Sequence, residues 1–265
     1  MVAAVRADRL RYALMDDALE KKRLRELALR AAHTRRPQFT RFLEPSALND
    51  VRAAANAAGV ACAFCGGYDG AERVVAAFYM DAPPEPSDYP MCVLRLQWNA
   101  KFSNPGHRDL LGAVMGLGLE RETLGDIAMG TFRGAPCAYL FVLPEMADYV
   151  RANLDSAGRA SIRAEHSQET PEISPPEGAE VRVTVQNARL DAVLAAGWGL
   201  SRSEAQRLIS AGLVKLNHAP NLHADARVGE GDLISARGHG RLRVLSEAGE
   251  SRRGRQVLML FVYGK

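Results

Sequence analysis

Residues 167–182, SQETPEISPPEGAEVR, hold three prolines, four acids and only Ile173 and Val181 as large apolar side chains. No hydrophobic core can be drawn through such a stretch, and proline stiffens it, so it reads as a linker. The chain must therefore fold as at least two units. Charge divides at the same place: residues 1–41 carry a formal +6, residues 42–181 carry −9 and residues 182–265 carry +6. The net charge of +3 over 265 residues conceals an acidic body between two basic ends. Attraction for polyanions is thereby confined to part of the molecule.

With 47% hydrophobic and 25% charged residues, the chain has the material for packed cores and lies outside the disordered class. Its apolar runs stay well below the roughly 18 residues of a membrane span. The start, MVAAVRADRLRYALMDD, meets a charge every few positions and never builds the apolar region of an export signal. A cytoplasmic location with no membrane span is the expectation. Four cysteines are too few for a disulfide scaffold. Cys62 and Cys65 form one C-x-x-C, Cys92 and Cys137 stand apart, and no second pair follows to complete four zinc ligands. Neither metal nor cofactor is expected, and the thiols read as buried or half-buried.

The fold class that emerges is α+β. Residues 1–59 read as an N-terminal helical region. Leu10, Leu14, Leu24 and Leu27 recur at three- and four-residue spacings, with a break suggested near Asp16. Lys21, Lys22, Arg23, Arg25 and Arg30 form the polar face, which suits a solvated helix and a nucleic-acid contact about equally. A second helix fits Pro45 to Ala58, stopped by Gly59. Residues 60–166 then turn to short β-type runs. From 91 onward the order is β-α-β-β-α-β, the ferredoxin-like split arrangement, with an extra strand or two before it. The aromatic signature of RNA-recognition motifs is absent. Tyr139 and Phe141 alternate on one strand and so share a face. They fit a core, with base stacking as the alternative.

Residues 183–265 form the C-terminal module. Within it R-L-D-x-x-L opens at Arg189 and L-S-R-S-x-A-x-x-L-I at Leu200. G-x-V-x-x-N follows from Gly212, and V-x-x-G-D-x-I from Val228. Ser201 followed by Glu204 is a capping-box pattern. This spacing resembles the S4 domain, a small RNA-binding module with two short helices that present a basic face. The resemblance implies that Arg189, Ser201, Arg202, Ser203, Gln206 and Arg207 face RNA, with Lys215 beside them. Arg237 and Arg241, from the basic run that follows, join that set. Asp191 reads as a partner for a nearby base or a helix cap, and Asn217 as a residue that shapes a hairpin turn.

Upstream, GGYDGAER at 66–73, KF at 101–102 and HRDLLGAVMGLGLERETLGDI at 107–127 resemble the YlmH family. Its members are cytoplasmic bacterial RNA-binding proteins with a central ferredoxin-like domain followed by an S4 domain. The resemblance implies partners in structured RNA (ribosomal RNA or tRNA) and the large ribosomal subunit. It also implies a role in translation or rescue of stalled ribosomes, with an older link to cell division. Lys101, His107, Arg108 and Arg121 are candidates for a second RNA contact. No small-molecule substrate and no catalytic residue is expected. His107, Arg108 and Asp109 are consecutive on a helix and diverge. Two alternatives stand beside the binder: an RNA-modifying enzyme of pseudouridine synthase or methyltransferase type, and a ribosome-bound protein-interaction adaptor. Against the first, R-L-D lies inside the S4 helix, and the glycine-rich stretches lack a strand–loop–helix setting.

Overall fold

The computed structural model describes residues 2–264 except 170, 175, 176, 252 and 253, with side chains from residue 18 onward. The chain divides into two compact units, Met1–Ser174 and Pro175–Lys265. Among the described residues, no helix is long and apolar enough to cross a membrane.

The first unit opens with α1 (Val2–Thr34). The helix runs through Asp16 unbroken: residues 2–34 contain no proline or glycine, and one aspartate costs at most about 0.7 kcal/mol relative to alanine in a helix. The side chains of Leu10 and Leu14 lie outside the described residues. From residue 18 the inward face is Leu24, Ala28 and Ala31. Of the basic stripe, Lys21 meets Asp50, Lys22 meets Glu26 and Arg23 meets Glu122 at 3.8–3.9 Å.

Strand β1 (Gln38–Leu43) follows, a strand absent from the sequence reading. Next come α2 (Leu48–Ala58), β2 (Ala61–Cys65) and β3 (Val74–Tyr79). Pro45–Ala47 forms a separate 3-10 turn before α2. Gly59 ends α2 at φ +68, a left-handed stop that glycine takes without strain. The three strands pair antiparallel in the order β1-β3-β2. One face of this sheet packs under α1 and α2 around Val51, Ala54, Ala76 and Phe78.

The ferredoxin-like half comprises β4 (Cys92–Gln97), α3 (His107–Gly116), β5 (Leu124–Phe132), β6 (Ala135–Val142), α4 (Pro144–Asn153) and β9 (Arg163–His166). A small hairpin of β7 (Ser156–Ala157) and β8 (Ala160–Ser161) precedes β9. The last strand of the expected β-α-β-β-α-β order is thus preceded by a hairpin and confined to Arg163–His166. With β10 (Glu172–Ile173) at one edge, the sheet order is β10-β5-β6-β4-β9, in which the last four strands are the split arrangement expected. The two-residue turn Arg133-Gly134 joins β5 to β6 with both φ values positive, the geometry that matches strand twist.

One face of this sheet (Leu94, Leu96, Leu140, Val142) packs on α3 and α4. The other packs on the three-stranded sheet through Phe42, Val75, Ala77, Tyr139 and Phe141. Tyr139 and Phe141 are buried there, so the core reading holds and stacking on bases is closed to them. The Tyr139 hydroxyl donates inward, to the Thr131 carbonyl at 2.8 Å.

The segment GGYDGAER clasps the two sheets. A bulge between Leu124 and Ile127 aims the Asp126 carboxylate at it, and bulges commonly re-aim side chains this way. Asp126 accepts from the Tyr68 hydroxyl at 3.1 Å and from the Glu72 N–H at 2.6 Å. Arg73, 5% exposed, donates to the carbonyls of Leu124, Phe42 and Arg121 and to Glu44 at 2.8–3.3 Å. Gly67 stands at φ +88, and a Cβ there would lie 2.3 Å from the Phe141 ring. Only glycine fits.

The stretch read as a linker carries two strands. Strand β10 (Glu172–Ile173) adds to the edge of β5. It approaches so closely that a Cβ on Gly130 would meet the Glu172 carbonyl oxygen at 2.2 Å. Strand β11 (Gly178–Val185) opens the second unit. There follow α5 (Leu190–Trp198), α6 (Arg202–Ser210), β12 (Val214–Leu216), β13 (Ala219–Pro220), β14 (Leu233–Ala236), β15 (Gly240–Glu250) and β16 (Gln256–Tyr263). The sheet order is β11-β16-β15-β14-β12-β13. Val183, Val185, Val214, Ile234, Leu242, Leu258 and Leu260 form its inner face against Leu190, Val193, Leu194, Ala205 and Ile209 of the helices.

Candidate nucleic-acid interface

The junction of α5 and α6 is built around Asp191. The first turn of α5 places this carboxylate at 0% exposure. Three side chains converge on it. Arg189 donates through Nε and Nη2 at 3.1 and 3.3 Å, Arg202 through the same pair at 3.2 and 3.4 Å, and Gln206 through Nε2 at 2.9 Å. Burial raises the affinity of Asp191 for a proton. The bonds from Gln206, Arg189 and Arg202 outweigh burial and hold the carboxyl below its ordinary value. A buried anion so satisfied is stable only with its partners present.

The two arginines are fixed on one edge and open on the other: Arg189 keeps 37% and Arg202 53% of its side-chain surface exposed. The Asp191 expectation of a pairing role is met. The carboxylate is enclosed, whereas a nucleophile must reach its substrate.

The two helix starts differ. At α5 the N–H groups of Leu190 and Asp191 are donated to the carbonyls of Ala226 and Ala224 at 2.8 and 3.0 Å. At α6, Ser201 caps through its Oγ, which accepts from the Glu204 N–H at 3.2 Å, and its hydroxyl lies 3.1 Å from that of Ser203. The Glu204 carboxylate meets Arg207 at 3.8 Å. Among the described residues, the N–H groups of Arg202 and Ser203 have no backbone partner. The start of α6 can thus take an anion, and the start of α5 is spent.

Arg189, Ser201, Arg202, Ser203, Gln206 and Arg207 are therefore brought to one place. Lys215 and Arg241 are not. Both alternate with the inward residues of β12 and β15, in a cross-strand row with Ser235 on the sheet face turned away from α5 and α6. Arg241 lies over the Tyr263 ring at 4.9 Å. Arg237 sits in the turn after β14 and is exposed. Asn217, at φ +49, donates to Asp232 at 2.7 Å and accepts from the Leu233 N–H at 2.9 Å, which makes it the turn-shaping residue expected.

The second candidate set is divided too. His107 and Arg108 open α3, while Arg121 follows its far end, and ten helical residues span about 15 Å. The Arg121 carbonyl accepts from Arg73 at 2.9 Å. Asp109 accepts from the Gly106 N–H at 3.0 Å and so caps the helix. Lys101 lies in the loop after β4, beside Arg159 and Arg163, two cations that sequence reasoning missed because they are about 60 residues away.

The C-x-x-C lies on β2, where residues three apart point to opposite faces. Cys62 packs under the helices and Cys65 toward the second sheet. Burial pushes the Cys62 thiol up, only partly offset by Arg52. Among the described residues, no cluster of His, Cys, Asp and Glu could hold a metal.

A family model described as "Putative RNA-binding domain in YlmH" matches residues 84–170, enclosing β4 to β9, and the S4 domain model matches residues 188–234, enclosing the Asp191 cluster. The chain is similar to the Ribosome-associated protein quality control protein P2 of Bacillus subtilis (strain 168), with 35% identity over 243 residues covering 91% of each chain. It is also similar to the solved structure of Cell division protein ylmH from Streptococcus pneumoniae, at 23% identity and TM-score 0.43, covering 59% of this chain and 90% of that one. With two family domains in this order, and more than a third of positions shared with the Bacillus protein along nearly the whole length, this chain belongs to the YlmH family.

Proposed function

We propose that this chain is a non-enzymatic RNA-binding protein that docks on structured RNA of the ribosome, either large-subunit RNA or a tRNA held there. Its role is in translation, in the rescue of stalled ribosomes. One observation carries the reading: a buried carboxylate holds two arginines and a glutamine beside the open start of α6. A phosphate at that start meets N–H groups, hydroxyls and guanidinium donors that need no reorganisation to receive it. The name of the Bacillus relative supports the ribosomal setting.

The test is sedimentation of the full chain with ribosomes and separated subunits, comparing wild type with Ser203→Glu/Arg207→Glu. Both positions are exposed. Ser203→Glu puts an acid in the first turn of α6, which favours folding. Arg207→Glu, in the last turn, removes a solvent-exposed ion pair with Glu204 that contributes little to stability, so the variant keeps its structure and repels phosphate. Loss of co-sedimentation is expected. Wild-type binding by the folded variant would overturn the assigned surface.

A further inference from the structure

The ferredoxin-like sheet is covered unequally. The three-stranded sheet occludes Tyr139 and Phe141, but the end of the same face at Gln97 is open. There a groove of about 740 Å³ is walled by Trp98, Lys101, Phe102, Arg159 and Arg163. Its walls contain these three cations and no carboxylate. A second cleft of about 360 Å³ shares Gln97 with it and adds Arg95 and Arg133, with Glu165 and Glu169. Five of the ten cations in the acidic stretch 42–181 thus gather around one end of one sheet.

The loop that carries Phe102 is shaped from within. The Asn99 carbonyl accepts from the N–H groups of Phe102 and Ser103 at 3.0 and 3.2 Å, and its side chain accepts from the Lys101 N–H at 3.1 Å. The Trp98 indole N–H donates to Asn104 at 3.0 Å. This turn holds Phe102 out at 87% exposure, an apolar ring in water beside Lys101. Among the described residues, neither Lys101 nor Arg159 has an ion-pair partner, while Arg163 pairs with Glu165 at 2.7 Å.

An exposed aromatic ring in a groove lined by cations is the combination that takes a base on its face and phosphates beside it. We propose that this groove is a second RNA site, distinct from α5 and α6, which takes unpaired nucleotides: a base stacks on Phe102, and Lys101, Arg159 and Arg163 hold the flanking phosphates. The site rests on the reading of the chain as an RNA binder, yet it makes a separate demand. The S4 cluster offers arginines and N–H groups for the backbone of folded RNA. The groove offers a stacking ring, which selects single strands.

The experiment uses the full chain and a fluorescein-labelled ten-nucleotide unstructured RNA, read by fluorescence anisotropy. It is run in wild type and in the Ser203→Glu/Arg207→Glu background, so that the remaining affinity reports the groove. In that background Phe102→Ala is expected to weaken single-strand binding about tenfold. Arg159→Glu should weaken it and flatten its salt dependence, and Phe102→Leu should restore little. None of these exposed loop positions supports a core, so folding is kept. Unchanged single-strand affinity in Phe102→Ala and Arg159→Glu would overturn the proposal even if the S4 variant loses the ribosome. Conversely, loss of ribosome binding only on changing the groove would leave this site standing and sink the S4 surface. A photo-reactive group placed at 102 should crosslink to RNA on ribosomes; crosslinks confined to ribosomal protein would assign the groove to a protein partner and overturn the RNA reading.

Discussion

At the scale of single residues, Asp191 decides most. Its carboxyl is held below its ordinary value, so it stabilises the fold above the unfolded value of about 3.9, and that contribution is lost as pH falls through its folded value. Urea denaturation between pH 7 and pH 3, followed by hydrogen exchange over residues 175–265, should show this acid loss in wild type and not in Asp191→Asn. The variant should also be about 2 kcal/mol less stable at pH 7, since its cationic partners lose their shared acceptor. Arg202→Glu is a poor probe of RNA binding, because it sets a second carboxylate against the buried one and weakens the fold as well as the interface. The motif R-L-D made Arg189 and Asp191 visible in the chain. That Asp191 binds Arg202 and Gln206, eleven and fifteen residues away, follows only from the crossing of two helices.

At the scale of elements, the clasp 66–73 and the bulge in β5 join the two sheets of the first unit. Arg73→Met leaves the Phe42, Leu124 and Arg121 carbonyls short of a donor inside the protein, and the expected cost is about 3 kcal/mol. Hydrogen exchange should speed up first in β1 and β3, with β4 and β9 protected longer. Gly67→Ala combines a left-handed φ with a Cβ 2.3 Å from Phe141. It should be at least as damaging, which thermal unfolding checks. These two blocks of sequence stood out singly, and their contact through Asp126 did not. The missed strand β1 has a physical reason as well: both faces of its sheet are covered, so Phe42 enters the core between the sheets and Leu43 the core under the helices, and the period-two signal of a half-buried strand is lost.

At the scale of the whole molecule, the cores are separate. One cluster serves residues 183–260, and three serve the first unit. Scanning calorimetry of the full chain should therefore resolve two transitions, and Asp191→Asn should move only one of them. Binding to ribosomes should weaken with salt at a log–log slope of about −0.7 to −0.9 per phosphate neutralised. Ser203→Glu/Arg207→Glu should make that slope shallower, as measured by sedimentation at several salt concentrations. The three charge blocks read from the chain locate this dependence in part. The grouping of Lys101, Arg159 and Arg163 was hidden, because a loop, a hairpin and a strand bring them together and net charge averages over them.

The sequence by itself determined what is local. The order of helices and strands from 91 to 166, the Ser201 cap, the turn at Asn217 and the spaced S4 motif each depend on backbone preferences and periodicities a few residues long. The tertiary structure alone decided which surfaces stay open. The three-stranded sheet covered Tyr139 and Phe141 and left Phe102 in water. The pleat turned Lys215 and Arg241 away from the helix that carries Arg202 and Arg207. Burial depends on segments distant in the chain meeting face to face, and no window of neighbouring residues contains that information.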